Sequence, residues 1–265
     1  MTLKATLYVA LATILQSTTA TPAIIPNIVG GEPAKEGEFP YIVALAQPAW
    51  QLCGDTLLNA NTVLTAAHCT DDSAYNISVR AGSLVSSRKH NFSFLALYLG
   101  TVSKFSSYII HPKYDAEDDP ELAIWKMTTP IQESSTIRYA KLPGQGSDPT
   151  GNSMATIAGW GVFGEDEEET PKTLHKVSIP VIDRQTCSDL YKGHVALNVT
   201  DNMICTGLKE GGKSACYGDS GGPVVDAATG VLIGIVSWGK GCARPDGPSV
   251  HTRVANYVDF IKKYM

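Results

Sequence analysis

A serine among glycines and a histidine beside a cysteine are the residues of this chain best suited to covalent chemistry. Ser220 lies in GDSGGP, residues 218–223, and His68 lies in LTAAHC, residues 64–69. A hydroxyl becomes an effective nucleophile when a base removes its proton, and glycines let backbone N–H groups approach the oxygen that becomes negative during acyl transfer. Each motif alone is compatible with an ordinary turn or a structural histidine. Together they predict acyl transfer by an activated serine.

The elements that must position these two residues are predicted to be β-strands. Short apolar and β-branched runs alternate with Gly, Pro, Asn and Ser between residues 27 and 252. The runs YIVALA, NTVLTAA, ISVRAG, MATIAGWG and VLIGIVSWG are typical of strands. No long amphipathic helical pattern intervenes, which favours an all-β sandwich or barrel over alternating β and α units. VANYVDFIKKYM, from Val254, has the apolar period of a short C-terminal helix.

Two polar segments interrupt this pattern. KLPGQGSDPTGNS, residues 141–153, is rich in Pro, Gly and Ser and is predicted to connect two β halves. EDEEE, residues 165–169, predicts an exposed acidic loop, with attraction of basic partners or repulsion of acidic ones as the alternative role.

Composition narrows the class of protein. The chain has 265 residues, 43% of them hydrophobic, which is enough to bury a sizeable core in one or two domains. Its formal net charge of −5 and pI near 5.7 give no basic surface for nucleic acid. After the N-terminus no apolar run approaches membrane-spanning length. We therefore expect a globular protein that binds neither nucleic acid nor membrane.

The N-terminus has the three-part pattern of a secretory signal peptide. Lys4 is followed by the apolar run ATLYVALATIL and by small residues ending in TTA at Ala20. This pattern predicts a signal peptide at residues 1–20, with cleavage after Ala20, whereas the alternative is a buried first helix. A secreted, extracellular protein is therefore expected.

Export implies an oxidising compartment, where cysteines form disulfides. The chain has six cysteines, which suits three disulfides, but six cysteines allow 15 connectivities and their spacing selects none. Three sequons are candidate glycosylation sites, at Asn76, Asn91 and Asn198.

From residue 28 to the C-terminus the chain resembles the trypsin-like or chymotrypsin-like secreted serine proteases, and it is most similar to the secreted fungal trypsins. The resemblance is carried by TAAHC followed by GDSGGP, together with IVGG at Ile28, GWG at Gly159 and SWG at Ser237. It implies two six-stranded antiparallel β-barrels with the site between them, roughly residues 28–140 and 150–253, followed by the C-terminal helix. It also implies the disulfides Cys53–Cys69, Cys187–Cys205 and Cys216–Cys242.

The resemblance further implies a role for each matching residue. Ser220 would be the nucleophile and His68 the general base, with the oxyanion held by the backbone N–H groups of Gly218 and Ser220. Cleavage before Ile28, which would release residues 21–27 as an activation propeptide, would free an amino group to pair with Asp219. Substrate would be bound by Tyr217, the backbone of Ser237, Trp238 and Gly239, and a specificity pocket containing Ser214 and Ser249.

Several positions depart from the trypsin pattern. Asn27 precedes Ile28, where trypsin-like activation needs Lys or Arg, so another protease is expected to activate the chain. The pocket-floor position is Ser214, and a neutral floor leaves a buried substrate cation uncompensated. A neutral, apolar or aromatic substrate residue is therefore expected, with Ser249 narrowing the pocket and Gly239 keeping one wall open. His251 stands where trypsins place tyrosine, and the sequence assigns it no consequence.

Glu121 is the departure closest to the chemistry. ELAI aligns without a gap with the family motif that begins with aspartate, so Glu121 is predicted to be the acid beside His68. Its extra methylene must fit a packed site, and a misplacement of about 1 Å can lower the rate about 10²-fold, so reduced activity is expected. Substitution by Asp118 or Asp119 would require a shift of the loop, which Pro120 disfavours.

Two functions follow from this sequence. The first is a secreted serine endopeptidase with a Ser-His-Glu triad and non-tryptic specificity. The alternative is a pseudo-protease that keeps the fold and binds or inhibits a protein partner. Expected partners are protein or peptide substrates, an activating protease and protein inhibitors, and we expect a monomer without metal or organic cofactor.

Overall fold

The computed structural model describes residues 28–47, 51–70, 77–86, 100–114, 121–194 and 198–265. The described part of the chain is mostly β-structure, as the alternating apolar runs predict. Its helices are α1 (Arg184–Tyr191) and α2 (Val258–Lys263). Its strands, in chain order, are β1 (Glu32–Pro33), β2 (Ile42–Ala46), β3 (Gln51–Asn59), β4 (Thr62–Thr65), β5 (Ser78–Ala81), β6 (Thr101–Ile110), β7 (Ala123–Met127), β8 (Met154–Gly159), β9 (His175–Ile182), β10 (Met203–Thr206), β11 (Pro223–Asp226), β12 (Leu232–Gly239) and β13 (Ser249–Arg253).

The N-terminal half forms a closed six-stranded antiparallel barrel in the order β2-β3-β4-β7-β6-β5. Its strands are short, and their inward side chains fill the interior, since alternate residues of a strand face opposite sides. In β5, for example, Val79 and Ala81 are fully buried while Ser78 and Arg80 are partly exposed. Full closure leaves this sheet without an unpaired edge.

The C-terminal half forms the second barrel. Its strands follow the order β9-β10-β13-β12-β11-β8, and the ring is closed by pairing of β8 with β9. β1 adds to β9 as a short extra strand, with Glu32 opposite Lys176 and Pro33 opposite His175. The prediction of two six-stranded barrels is therefore confirmed, although β1 pairs with the barrel opposite to the one that its sequence position suggests.

The C-terminal segment packs back on the first barrel. It begins with a 3-10 turn at Val254–Tyr257 and continues as α2. Val254, Tyr257 and Ile261 are buried in the apolar core that also contains residues of the first barrel. The predicted C-terminal helix is present, and it begins four residues later than the apolar period indicated. Among the described residues no helix is long and apolar enough to cross a membrane.

The two barrels meet closely beside GDSGGP. A Cβ at Gly54 of β3 would lie 3.3 Å from the Cα of Gly222, so the two backbones are in close contact here. Three disulfides join Cys53–Cys69, Cys187–Cys205 and Cys216–Cys242, the pairs that the family resemblance implies. The first of these fixes the segment containing His68 to β3.

Candidate active site

His68 and Glu121 are brought together by the pairing of β4 with β7. Thr65, the last residue of β4, lies opposite Ala123, the first residue of β7. The residues just after β4 therefore lie beside those just before β7. His68 follows in the 3-10 turn Ala67–Cys69, and Glu121 precedes Ala123 by two residues. The register of one strand pair thus places the imidazole next to the carboxylate.

Glu121 contacts His68 with both carboxylate oxygens. Oε2 lies 2.8 Å from His68 Nδ1, and Oε1 accepts a hydrogen bond of 2.7 Å from the His68 backbone N–H. Ser237 Oγ also donates to Oε2, at 3.0 Å, and Thr252 Oγ1 donates to the Glu121 backbone carbonyl at 3.0 Å. Since Ser237 and Thr252 belong to the second barrel, Glu121 joins both barrels at the histidine.

The charges of this pair reinforce each other. Burial acts to raise the pKa of Glu121, but the hydrogen bonds and charge of His68 and the hydroxyl of Ser237 outweigh it, so the pKa is lowered. Partial burial acts to lower the pKa of His68, but the hydrogen bond and charge of Glu121 outweigh it, and the pKa is raised. The imidazole remains 40% exposed, so its second nitrogen can reach a substrate. An ionised Glu121 therefore favours the tautomer of His68 that carries its proton on Nδ1.

Ser220 is carried on a turn that only a glycine-rich sequence can form. Gly218 and Gly221 have φ of +94° and +77°, a region that residues with a side chain rarely adopt. A Cβ at Gly221 would lie 2.4 Å from the Gly54 carbonyl oxygen of the first barrel. The turn is fixed by the hydrogen bond of 2.8 Å from the Gly221 N–H to the Val236 carbonyl. The serine thus lies at the junction of the two barrels.

Asp219, the residue before Ser220, holds the same turn through its buried side chain. Its carboxylate is fully buried and accepts hydrogen bonds from the N–H groups of Gly161, at 2.7 Å, and Cys216, at 2.9 Å. Burial raises its pKa to about 6, against these two hydrogen bonds. Side chains at Gly159 or Gly161 would collide with its oxygens, which explains the glycines of GWG.

A pocket of about 240 Å³ opens beside Ser220. Its lining includes Ser220 and five of the six residues that the sequence assigned to substrate binding, namely Tyr217, Ser237, Trp238, Gly239 and Ser249. Gly239 and Ser249 face each other across β12 and β13, so Ser249 occupies one wall. Tyr217 is 60% exposed at the pocket mouth.

Ser214 is the assigned pocket residue that does not line this cavity. Its neighbour Ala215 does line the cavity, whereas Ser214 is 1% exposed and donates its backbone N–H to the Val29 carbonyl. Its hydroxyl has no hydrogen-bond partner within the described part of the chain. This position therefore adds no charge to the pocket, and Ser214 is not part of the pocket lining.

His251 lies on β13 opposite Val236, a residue of the pocket lining, and is fully buried. Its Nε2 is 2.8 Å from Thr206 Oγ1. Burial lowers its pKa to about 3, so the imidazole is neutral at physiological pH and adds no charge to the pocket. This is the consequence of His251 that the sequence alone did not give.

Glu165 supports the pocket from outside its lining, a role that the sequence did not identify. It was predicted to lie in an exposed loop, yet it accepts a hydrogen bond of 2.5 Å from the backbone N–H of Cys242, whose side chain lines the pocket. Arg244 donates to it through Nε at 2.7 Å and also through Nη2. A Cβ at Gly241 would lie 1.9 Å from its Oε1. The remainder of the acidic run, residues 166–169, is exposed as predicted.

Ile28 is fully buried in the apolar cluster that contains Ala215. The following residues dock against the segment that precedes the serine, since a Cβ at Gly30 would lie 2.2 Å from the Gly212 carbonyl oxygen. Both members of the predicted activation pair, Ile28 and Asp219, are thus buried beside the site. Asn27 and residues 1–26 lie outside the described residues.

The remaining residues that the sequence singled out lie partly within and partly outside the described residues. Asn198 is exposed, whereas Asn76, Asn91, Asp118 and Asp119 lie outside the described residues. Cys53, His68 and Cys69 are close enough together to suggest metal ligands. Their two sulfurs are joined in a disulfide, however, and provide no thiolate for a metal.

Comparison with known proteins agrees with this geometry. Residues 28–261 match the family model described as "Trypsin". The chain is 43% identical over 239 residues to "Trypsin Blo t 3" of Blomia tropicalis, covering 89% of this chain and 85% of that protein. It is 40% identical over 237 residues to "Trypsin" of Saccharopolyspora erythraea, covering 88% and 96%. To "Trypsin-1" of Astacus astacus it is 37% identical over 246 residues, covering 89% and 98%.

Proposed function

Since this chain belongs to the trypsin family of serine proteases, we propose that it is a secreted endopeptidase whose triad is Ser220, His68 and Glu121. The proposal rests on the two hydrogen bonds that Glu121 accepts from His68, from Nδ1 at 2.8 Å and from the backbone N–H at 2.7 Å. This geometry gives glutamate the orienting role that aspartate has in the triad template of this family.

The mechanism we propose assigns to these groups the steps of the family's triad template. Ser220 Oγ attacks the scissile carbonyl carbon while His68 Nε2 takes its proton, and the negative oxygen is held by the N–H groups of Gly218 and Ser220. His68 then gives the proton to the leaving amine, which breaks the peptide bond and leaves an acyl group on Ser220. Water attacks this ester with His68 again as base, which releases the acid product and restores the free Ser220 hydroxyl.

Glu121 does not exchange a proton in these steps. Its lowered pKa keeps it ionised, so it stabilises the imidazolium that forms while His68 holds two protons. The bond from Ser237 supports the same state, because a hydroxyl that donates to a carboxylate favours its charged form.

The specificity we propose is for an apolar or aromatic residue before the scissile bond. The residues that line the pocket include no carboxylate, and the buried Ser214 and His251 are both neutral. A substrate Lys or Arg would bury its cation there without a partner. Peptides with Phe, Tyr or Leu at this position should be cleaved faster than those with Arg. The reverse ranking in kcat/KM would refute the assignment.

Activation is proposed to follow removal of residues 1–20 as a signal peptide and 21–27 as a propeptide. Cleavage before Ile28 by another protease would free an amino group for Asp219, whose buried carboxylate has no cationic partner in the described part of the chain. Expected partners are the activating protease, protein or peptide substrates and protein inhibitors, and the expected state is a monomer.

Labelling of Ser220 by a fluorophosphonate tests the proposal. The protein is processed to begin at Ile28 and is compared with the Ser220→Ala variant, which keeps the fold and the pocket but lacks the nucleophile. Labelling of the wild type alone is expected, followed by turnover of peptide amides. Equal labelling of both proteins would contradict the enzyme mechanism and favour the alternative of a partner-binding pseudo-protease.

A further inference from the structure

Asp55 is a buried acid at the junction of the two barrels to which the mechanism assigns no role. It lies on β3 opposite Val43 of β2, and its exposed fraction is 0%. Buried carboxylates in proteins are normally paired with a cation or held by several hydrogen bonds. Neither oxygen of Asp55 has a hydrogen-bond partner of ordinary geometry among the described residues.

The position of this carboxyl is what makes it relevant to the site. A Cβ at Gly221 would lie 2.9 Å from Asp55 Oδ1 and 2.5 Å from Thr65 Oγ1. Gly221 follows Ser220 directly, and Thr65 ends the strand that leads to His68. The carboxyl therefore lies where the end of the strand that leads to His68 meets the turn that carries Ser220.

The surroundings favour the neutral acid. Burial raises the pKa of Asp55 to about 8, and the Thr65 hydroxyl that faces it acts in the opposite direction. β2 and β4, the strands that flank β3, carry no charged side chain, with the sequences IVALA and TVLT. A neutral carboxyl can donate its O–H to the Thr65 oxygen, whereas a carboxylate would add an uncompensated charge behind the serine.

The titratable groups on the other packed elements already have partners. Asp219 of the facing turn accepts from Gly161 and Cys216, and Asp226 at the end of β11 accepts from the Thr229 N–H at 2.8 Å. His68 and Glu121, beyond the end of β4, bind each other. These groups supply negative or shared charge and no free cation for an Asp55 carboxylate.

We propose that Asp55 is a positioning residue for the hydrolytic site, which as a neutral carboxylic acid fills the space between Thr65 and Gly221 and sets the position of Ser220 relative to His68. The inference rests on the proposed roles of those two residues. Ionisation of Asp55 introduces a charge that this junction does not accommodate, so the Ser220 turn moves away and turnover falls. The protein would then lose activity at alkaline pH because Asp55 is deprotonated.

The first experiment is the pH profile of kcat between pH 6 and 10, for active protein that begins at Ile28. The wild type should lose kcat with an apparent pKa near 8, whereas Asp55→Asn, which stays neutral and has nearly the same shape, should keep its kcat over that range. Asp55→Ala should lower kcat about 10-fold or more at every pH with little change in KM. Thr65→Val should move the alkaline step to higher pH, because the hydroxyl that lowers the Asp55 pKa is gone.

Thr56→Val is the matched control. Thr56 is the neighbour of Asp55 on β3, is equally buried, and also has a hydroxyl without a partner, but its side chain points to the other face of the strand. It should leave the pH profile unchanged. An alkaline step that is identical in the wild type and Asp55→Asn would overturn the proposal and locate the titration at the Ile28 amino group instead.

A measurement of thermal stability tests the protonation state of Asp55 without requiring any catalytic activity. Native Asp55 holds its proton up to about pH 8, while the unfolded residue loses it near pH 4, so unfolding releases a proton between these values. Stability should therefore fall with rising pH in Ser220→Ala relative to the Ser220→Ala/Asp55→Asn double variant. A Tm difference independent of pH would refute the neutral acid, whereas failed fluorophosphonate labelling would refute only the enzyme mechanism.

Discussion

Replacing Glu121 with aspartate, the residue that the trypsin family uses in this position, should lower activity in this protein. The Glu121 carboxylate accepts hydrogen bonds at 2.7, 2.8 and 3.0 Å from the His68 N–H, His68 Nδ1 and Ser237. Its backbone is held by Thr252 at 3.0 Å and by the pairing that begins at Ala123. The glutamate side chain therefore fits the site. The sequence suggested that its extra methylene would misplace the acid and reduce activity, whereas these contacts lead us to expect that shortening the side chain reduces activity.

The size of the effect follows from the geometry. Removing one methylene withdraws the carboxylate by about 1.5 Å, one C–C bond, which would lengthen these contacts to about 4 Å, beyond hydrogen-bond range, if the backbone does not move. A misplacement of about 1 Å can lower the rate about 10²-fold. We expect a fall of about 10²-fold in kcat/KM for Glu121→Asp, with KM nearly unchanged because Glu121 does not line the pocket.

The assay is the initial rate of hydrolysis of a peptide amide, with active sites counted by fluorophosphonate labelling. Glu121→Gln is the control of equal length. It removes the charge that stabilises the His68 imidazolium, and in the protease that serves as this family's template a neutral amide in this role lowers kcat on the order of 10⁴-fold. A kcat/KM for Glu121→Asp equal to or above that of the wild type would refute the reasoning, since the longer side chain would then be the limitation.

Three further changes test the pocket and its supports. Glu165→Gln should raise KM about 2- to 5-fold with kcat unchanged, because the exposed ion pair with Arg244 is lost while the Cys242 N–H keeps an acceptor. Asp166→Asn, at an exposed neighbouring position, is the control. An effect on kcat alone would contradict this prediction. Ser237→Ala should lower kcat/KM about 10- to 150-fold, since a hydrogen bond to a charged group contributes about 1.5–3 kcal/mol. Rates for a short and a long peptide separate this loss from weaker binding of extended substrate. The pKa of His251, lowered to about 3, means that the unfolded state takes up its proton first as the pH falls below about 6.5, so stability should decrease from that pH towards pH 3. Urea unfolding of His251→Phe should show a weaker acid dependence, and identical slopes would contradict it.

The residues that contact each other locally were predictable from the sequence. The strand runs came from alternating apolar residues, and the glycines of GDSGGP indicated a turn that needs positive φ, which Gly218 and Gly221 have. The motif ELAI predicted that Glu121 would be the acid, and the β4–β7 register places it beside His68. The strands and the turn follow from short-range rules, because side-chain alternation and backbone conformation depend on neighbouring residues. The assignment of Glu121 came instead from the family motif, since its contact with His68 joins residues 53 positions apart.

Contacts between distant segments were decided by the tertiary structure. Glu165 looked like one member of an exposed acidic run, and only the fold brings it to Cys242, Arg244 and the pocket wall. The family resemblance assigned Ser214 to the pocket, as the residue six positions before Ser220, yet the cavity is lined by Ala215 and not by Ser214. Asp55 is an ordinary polar residue within the sequence of a strand. Its burial between Thr65 and Gly221 arises because two separately closed barrels press these segments together, and no pattern within either segment records that contact.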